Sequence, residues 1–239
     1  MGRSAKVVFF DLGETLVTQN IEDNLVTRRA LDELSRILPK RMSGAKLYAI
    51  YQRGFKVNHA IRSRHHVEIP VHTWMTELLE NALEEEPVES LVTRAIKIIV
   101  KTRAANSVAF KDAKPTLDMI AERRVPMGII SNVSSHEVAV EILKHVRLDH
   151  YFKHVITSAY TGIRKPDPGI FLYALRQFQT TPDRAIHVGD SEMHDVRGAK
   201  PLGLVTILIR DRKERLVTDA DYAFSSLGEA ASTLSELVT

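Results

Sequence analysis

The first hydrophobic pattern along the chain is a short unbroken apolar run, KVVFFD from Lys6 to Asp11, which reads as a strand covered on both faces. The period then changes. From Ile21 to about Asn106, apolar residues recur every three or four positions in IEDNLVTRRALDELSRIL, SGAKLYAIYQRGFKVNHAIRSRHH, PVHTWMTELLENAL and PVESLVTRAIKIIVKTRAAN, with breaks at Pro39, Pro70 and Pro87. This region shows no convincing strand, and four amphipathic helices with short joints predict a small bundle. Beyond it, helical and strand patterns alternate. PTLDMIAERR, SSHEVAVEILKHV, DPGIFLYALRQF and GEAASTLSELV read as helices, and VPMGIIS, HVITS, RAIHVGD, LVTILI and DYAFSS read as strands. Ser134 and Glu137 have the spacing of a capping box, and Asp167 followed by Pro168 predicts an N-cap and first helical turn.

Alternation of this kind predicts an α/β fold, a Rossmann-like parallel sheet with helices on both faces. The sheet draws on residues 1–18 and 107–239, and the helical segment 19–106 is an insertion above it. Ligands in such sheets bind beyond the carboxyl ends of the strands.

Composition narrows the function. Hydrophobic residues make up 44% and charged residues 26% of the 239, as in ordinary globular proteins. The net charge of +3 is small and spread along the chain, so no nucleic-acid partner is expected. There is no cysteine, hence no disulfide framework, thiolate metal site or cysteine nucleophile, and a cytoplasmic setting is expected. The apolar run in MGRSAKVVFF is too short for a signal peptide, and Lys6 occupies the position where a myristoylation motif requires Ser or Thr. No run approaches the roughly 18 residues of a membrane helix. The sequence does not set an oligomeric state.

Four predicted strand ends carry polar residues. The first gives Asp11 and Thr15, with Gly13 between them in a tight turn that a positive φ would explain. The second gives Ser131 and Asn132, the segment after the third gives Lys165, and the fourth gives Asp190 and Asp195. Each residue alone fits a turn or a cap. Together they bring three carboxylates, one lysine and two hydroxyls to one crevice. Converging carboxylates repel, so a divalent cation is their natural companion, and a lysine beside helix starts would hold an anion such as phosphate.

DLGETL, GIISN, RKPDPGIF and HVGDSEMHDVRGAK, in this order and spacing, resemble the haloacid dehalogenase superfamily of phosphatases and related hydrolases. The resemblance covers nearly the whole chain and identifies the insertion 19–106 with the family's helical cap. It implies that Asp11 is the nucleophile and that an aspartyl-phosphate forms on it. Ser131 and the Asn132 backbone would bind the transferring group, with Thr15 nearby, and Lys165 would neutralise charge. It also implies Mg²⁺, held by Asp11, the Gly13 carbonyl and Asp190, with Asp195 supporting its waters or ligating it. The expected substrate is a small phosphorylated metabolite.

Gly13 departs from the phosphatase pattern, which has a second Asp there to protonate the leaving oxygen and then activate water. Glu14 is expected to point elsewhere. The departure leaves room for a phosphonatase, with Lys46 or Lys56 of the cap as a Schiff base, for a 2-haloacid dehalogenase, and for a non-hydrolytic phosphate-binding protein. The Gly189–Asp190 pair favours metal and phosphorus chemistry. The basic stretch Lys56, His59, Arg62, Arg64, His65 and His66 reads as a solvated helix end. Neither these histidines with His72 nor His136–Glu137 has zinc spacing. His187 is expected to be packed in its strand, and Tyr51, Phe55 and Trp74 to pack in the cap, with room for one of them to line the substrate pocket as well.

Overall fold

The computed structural model describes residues 5–210 and 217–238. Six strands form one sheet: β1 (Val7–Phe10), β4 (Met127–Ser131), β5 (Phe152–Thr157), β6 (Ala185–Gly189), β7 (Val205–Ile209) and β8 (Tyr222–Phe224). Their order is β5-β4-β1-β6-β7-β8, and every pairing is parallel. Alternation along β1 shows how the sheet is covered. Val8 and Phe10 face α5 (Ala113–Glu122), α6 (His136–His145) and α10 (Leu227–Leu237), through Leu117, Leu143 and Leu234. Val7 and Phe9 face α8 (Pro168–Gln177), through Ile170, Phe171 and Ala174. The predicted core strands and helices are present with ends moved by a few residues. A short helix α7 (Ser158–Thr161) follows β5, and a π-helical turn Glu192–Val196 leads into α9 (Arg197–Ala199).

The chain runs outward from β1 to β4 and β5, then returns to the other side of β1 as β6. The reversal leaves a crevice at the carboxyl ends of β1, β4 and β6, where an open α/β sheet binds its ligand.

The inserted helices are α1 (Asp23–Ser35), α2 (Gly44–His65), α3 (Val71–Leu83) and α4 (Glu89–Ala105). They share an apolar core of their own that includes Leu31, Leu34, Leu47, Met75, Leu79, Val92 and Ala95. Two features here differ from the sequence expectation. A short antiparallel ribbon, β2 (Val17–Gln19) paired with β3 (Ser107–Ala109), forms the stem through which the helices leave and rejoin the sheet. Three-residue strands are too short to register as a period-2 pattern. The cap of α6 is also moved by one residue. Ser135, not Ser134, accepts from Val138 N at 3.3 Å, and its hydroxyl donates to Glu137 Oε2 at 2.8 Å. Ser134 instead accepts from Trp74 Nε1 at 3.3 Å, and its carbonyl accepts from Val71 N at 2.6 Å, tying α3 to the sheet. Asp167 caps α8 as predicted, accepting from Gly169 N at 2.8 Å ahead of Pro168.

A second tie joins the segment after α2 to the loop before Lys165. Glu68 N donates to the Gly162 carbonyl at 2.9 Å, and Arg164 N donates to the His66 carbonyl at 2.8 Å. The Glu68 side chain, with no solvent exposure, lies between Arg62 of α2 and Arg164 of the sheet side. Arg62 Nε is 2.8 Å from Glu68 Oε1, an ion pair whose N–H is not aimed as a hydrogen bond. Arg164 Nη1 and Ser158 Oγ both donate to Glu68 Oε2. No helix among the described residues is long and apolar enough to cross a membrane.

Candidate active site

Asp11 follows β1 directly, and its backbone N–H donates to the Val188 carbonyl of β6 at 2.8 Å. The carboxylate is therefore fixed at the switch point of the sheet. Lys165 comes from the loop before α8. That loop is held by Asn132 at the end of β4, whose Oδ1 accepts from Lys165 N at 2.8 Å and whose Nδ2 donates to the Lys165 carbonyl at 2.9 Å. The Asn132 side chain thus positions the lysine, which leaves its backbone for the substrate role expected from sequence. The Lys165–Pro166 peptide bond is cis.

Lys165 Nζ lies 2.7 Å from Asp11 Oδ1 and 2.6 Å from Asp195 Oδ1, and all three residues are buried. Asp195 is also held by two further donors. His187 Nε2 lies 2.8 Å from Oδ1, and Ser191 N donates to Oδ2 at 3.0 Å. His187 is packed edge-on against Phe171, as its strand position predicted. Its contact with Asp195 was not visible in the sequence, because the partner lies eight residues away beyond a turn.

The electrostatics follow from one cation shared among three acids. Burial works to raise Asp195, but the Lys165 charge and the His187 hydrogen bond outweigh it and hold the carboxyl well below its usual range. Burial raises Asp11, and Lys165 only partly opposes this. Asp190 forms no ion pair among the described residues, and Lys165 opposes its shift only weakly. Burial, then the charges of Asp11 and Asp195, push it up to about 7. Lys165 is raised despite the opposing effect of burial, because Asp11 and Asp195 favour its charged form. Asp11, Asp190 and Asp195 each offer an oxygen within 4.8 Å of the others. A hard, all-oxygen set that repels itself is the donor chemistry suited to Mg²⁺. Both Asp195 oxygens already accept hydrogen bonds, which favours Asp11 and Asp190 as direct ligands.

The turn after Asp11 corrects one expectation. Gly13 is not in the left-handed region; the residue that takes positive φ there is Glu14, at 52°. A Cβ on Gly13 would meet no atom within 4 Å, so neither backbone nor packing requires glycine. Glu14 is exposed. It borders the main cavity, and its Oε1 accepts from Thr18 Oγ1 at 2.8 Å. Thr15 is buried, its hydroxyl has no hydrogen-bond partner among the described residues, and it borders a second cleft shared with Asp190 and Ser191.

A cavity of about 580 Å³ opens between the helical insertion and the sheet. Gly13, Ser131 and Asn132 line it from the sheet side, and Tyr51, Phe55, Asn58 and Trp74 from the helices. Lys46 and Lys56, the two cap lysines considered as Schiff bases, are exposed and do not line it. Of the basic stretch at the end of α2, Arg62 alone lines it.

Comparisons with known proteins agree with this geometry. Residues 5–203 match the haloacid dehalogenase-like hydrolase family. A curated relative, glyceraldehyde 3-phosphate phosphatase of Methanopyrus kandleri, is 27% identical over 209 residues, covering 87% of this chain and 85% of the relative. Among solved structures, a HAD phosphatase from Thermococcus onnurineus superposes with a TM-score of 0.69 at 25% identity, covering 96% of this chain and 97% of that one. A 2-haloacid dehalogenase from Pseudomonas syringae pv. Tomato superposes with a TM-score of 0.73 at 23% identity, covering 97% and 99%, a likeness of fold alone. A parallel sheet that brings Asp11, Ser131, Lys165 and the Asp190–Asp195 pair to one edge, and a family match over most of the length, make this chain a haloacid dehalogenase-like hydrolase.

Proposed function

We propose that the protein is a Mg²⁺-dependent phosphatase of small phosphorylated metabolites, with residues 19–106 as its cap and an aspartyl-phosphate formed on Asp11. The observation that carries this reading is the site of Asp11, Lys165 and Asp195 with Asp190 beside it, next to a cavity edged by Ser131. Phosphatase activity in relatives that align over most of the chain supports the same reaction class.

Asp11 attacks phosphorus, and a new oxygen–phosphorus bond forms as the ester bond to the leaving group breaks. Lys165 offsets the charge that Asp11 shares with the phosphoryl oxygens, and Asp195 with His187 holds the ammonium in line. Ser131 and the Asn132 backbone orient the phosphoryl group. Asp11, Asp190 and the Gly13 carbonyl would hold Mg²⁺, which supplies charge stabilisation at the phosphoryl oxygens when bound. Water then cleaves the acyl phosphate and restores Asp11. The proton normally delivered from the position of Gly13 has no donor there, so good leaving groups react fastest.

The test is hydrolysis of acetyl phosphate and a panel of phosphorylated metabolites in chelator and after adding Mg²⁺. Turnover that needs Mg²⁺ supports the proposal. Turnover undiminished in chelator, or release of halide from 2-haloacids without phosphatase activity, would contradict it.

A further inference from the structure

The second cleft at the carboxyl edge of the sheet has a volume of about 450 Å³. It lies between the turn after Asp11, the ends of β7 and β8 and the start of α10, and no residue of the insertion 19–106 lines it. Asp190 lines this cleft and does not line the main cavity. The acid that forms no ion pair among the described residues, and is favoured as a direct metal ligand, therefore opens to a space other than the one beneath the cap. Thr15, 1% exposed, borders the same cleft with a hydroxyl that has no hydrogen-bond partner among the described residues, and the buried hydroxyl of Ser225 does likewise. Buried hydroxyls in native proteins are satisfied, by ordered water where no protein group is in reach.

Charge separates the two spaces. Glu14, Asp112 and Asp190 border the second cleft against one cation, the exposed Arg210. The main cavity has the opposite bias, with Arg53, Arg62, Arg103 and Arg164 lining it against Glu14, Asp23 and Glu77. A cleft lined by an excess of one sign gathers ions of the other, so a cation is drawn to the second cleft and an anion to the main cavity. Size agrees. The six waters of an octahedral Mg²⁺ take up roughly 180 Å³, at about 30 Å³ each, well within the cleft.

Resting on the phosphatase reading above, we propose that the second cleft is the route by which the divalent cation reaches and leaves Asp190, with the Thr15 and Ser225 hydroxyls holding its water, so that the metal exchanges without passing through the substrate cavity. Mn²⁺ is the probe, because carboxylate, carbonyl and water suit it as they suit Mg²⁺. The chain has no cysteine, so a single one can be introduced and alkylated after folding. Arg210→Cys carrying a bulky maleimide obstructs the second cleft. Gly54→Cys carrying the same group obstructs the main cavity, which Gly54 lines and where an added Cβ meets nothing within 4 Å. The Kd for Mn²⁺ is read by titration from the paramagnetic resonance of the free ion, and the release rate by stopped-flow mixing of loaded protein with excess chelating dye. Labelled Arg210→Cys should release Mn²⁺ at least roughly tenfold more slowly than the same variant unlabelled, at an unchanged Kd, so that binding slows by the same factor. Labelled Gly54→Cys should release it at the unlabelled rate. If Arg210→Cys does not fold, Ser226→Cys on the same cleft takes its place. Unchanged release from the labelled cleft variant, slowing that comes with a changed Kd, or equal or greater slowing from labelled Gly54→Cys would overturn the route and leave the phosphatase reading standing. Failure of the wild type to bind Mn²⁺ would instead overturn the metal-dependent reading and this inference with it.

Discussion

Replacing Gly13 by Asp should convert the enzyme from one limited by its leaving group into one that is not. The structure allows the change: the residue lies outside the left-handed region, and a Cβ there meets nothing within 4 Å. The new carboxyl would enter a field already set by Asp11, Asp190 and Asp195, the same field that helps to push Asp190 up to about 7. General acid catalysis contributes about 10²–10⁴-fold, or about 2.7–5.5 kcal/mol of barrier, when the leaving oxygen needs a proton. The assay is kcat/KM across acetyl phosphate, p-nitrophenyl phosphate and glycerol 3-phosphate. Wild type should fall steeply along this series. Gly13→Asp should raise the last substrate by up to the stated factor and change the first little, so the dependence flattens. A variant that melts like wild type yet keeps its leaving-group dependence would refute the reasoning, by showing that another group already supplies the proton. Glu14, on the cavity rim beside Thr18, would be that group, and Glu14→Gln would then lose activity.

Other consequences follow from the same geometry. Asp190 is raised in the folded state, so its contribution to the stability of the metal-free protein is present below its ordinary carboxylate range and lost as pH rises towards about 7. Melting temperature measured against pH in chelator should fall more across that window for wild type than for Asp190→Asn, and equal profiles would contradict this. Mg²⁺ competes with the same proton, so its affinity by calorimetry should rise up to about pH 7 and then level off, with proton release. Glu68→Gln leaves Arg62 and Arg164 without their shared anion at a site where the Glu68 side chain has no exposure. Breaking such a buried pair costs about 3–5 kcal/mol, which at about 2–4 °C per kcal/mol for a chain of this size lowers the melting temperature by roughly 6–20 °C. A shift below about 2 °C would contradict that assignment.

What the sequence disclosed depended on whether the signal was local. The strand KVVFFD and the helix DPGIFLYALRQF carry their own period and caps, and both are present in the structure. Asp11, Ser131, Lys165, Asp190 and Asp195 could be read because each follows a recognisable strand or stands in a recognisable motif. Glu68 gave no such signal. It is one acid in a basic stretch, and only folding brings Arg62, Ser158 and Arg164 around it. The choice between Ser134 and Ser135 as the α6 cap was made by contact with Val71 and Trp74, about sixty positions away in the chain. The conformation of the turn after Asp11 was misassigned because glycine is permissive, and here the left-handed residue is its neighbour Glu14.

In the proposed mechanism Asp11 carries the phosphoryl group. Wild-type protein turning over phosphorus-labelled acetyl phosphate with Mg²⁺ would be quenched in acid, digested and mapped by mass spectrometry, with Asp11→Asn treated alongside. The variant keeps the size of the side chain but offers no nucleophilic carboxylate. Label is expected on the peptide containing Asp11 in wild type and none in the variant, which should lose turnover with its fold intact. Label on any other residue, or full turnover by Asp11→Asn, would contradict it.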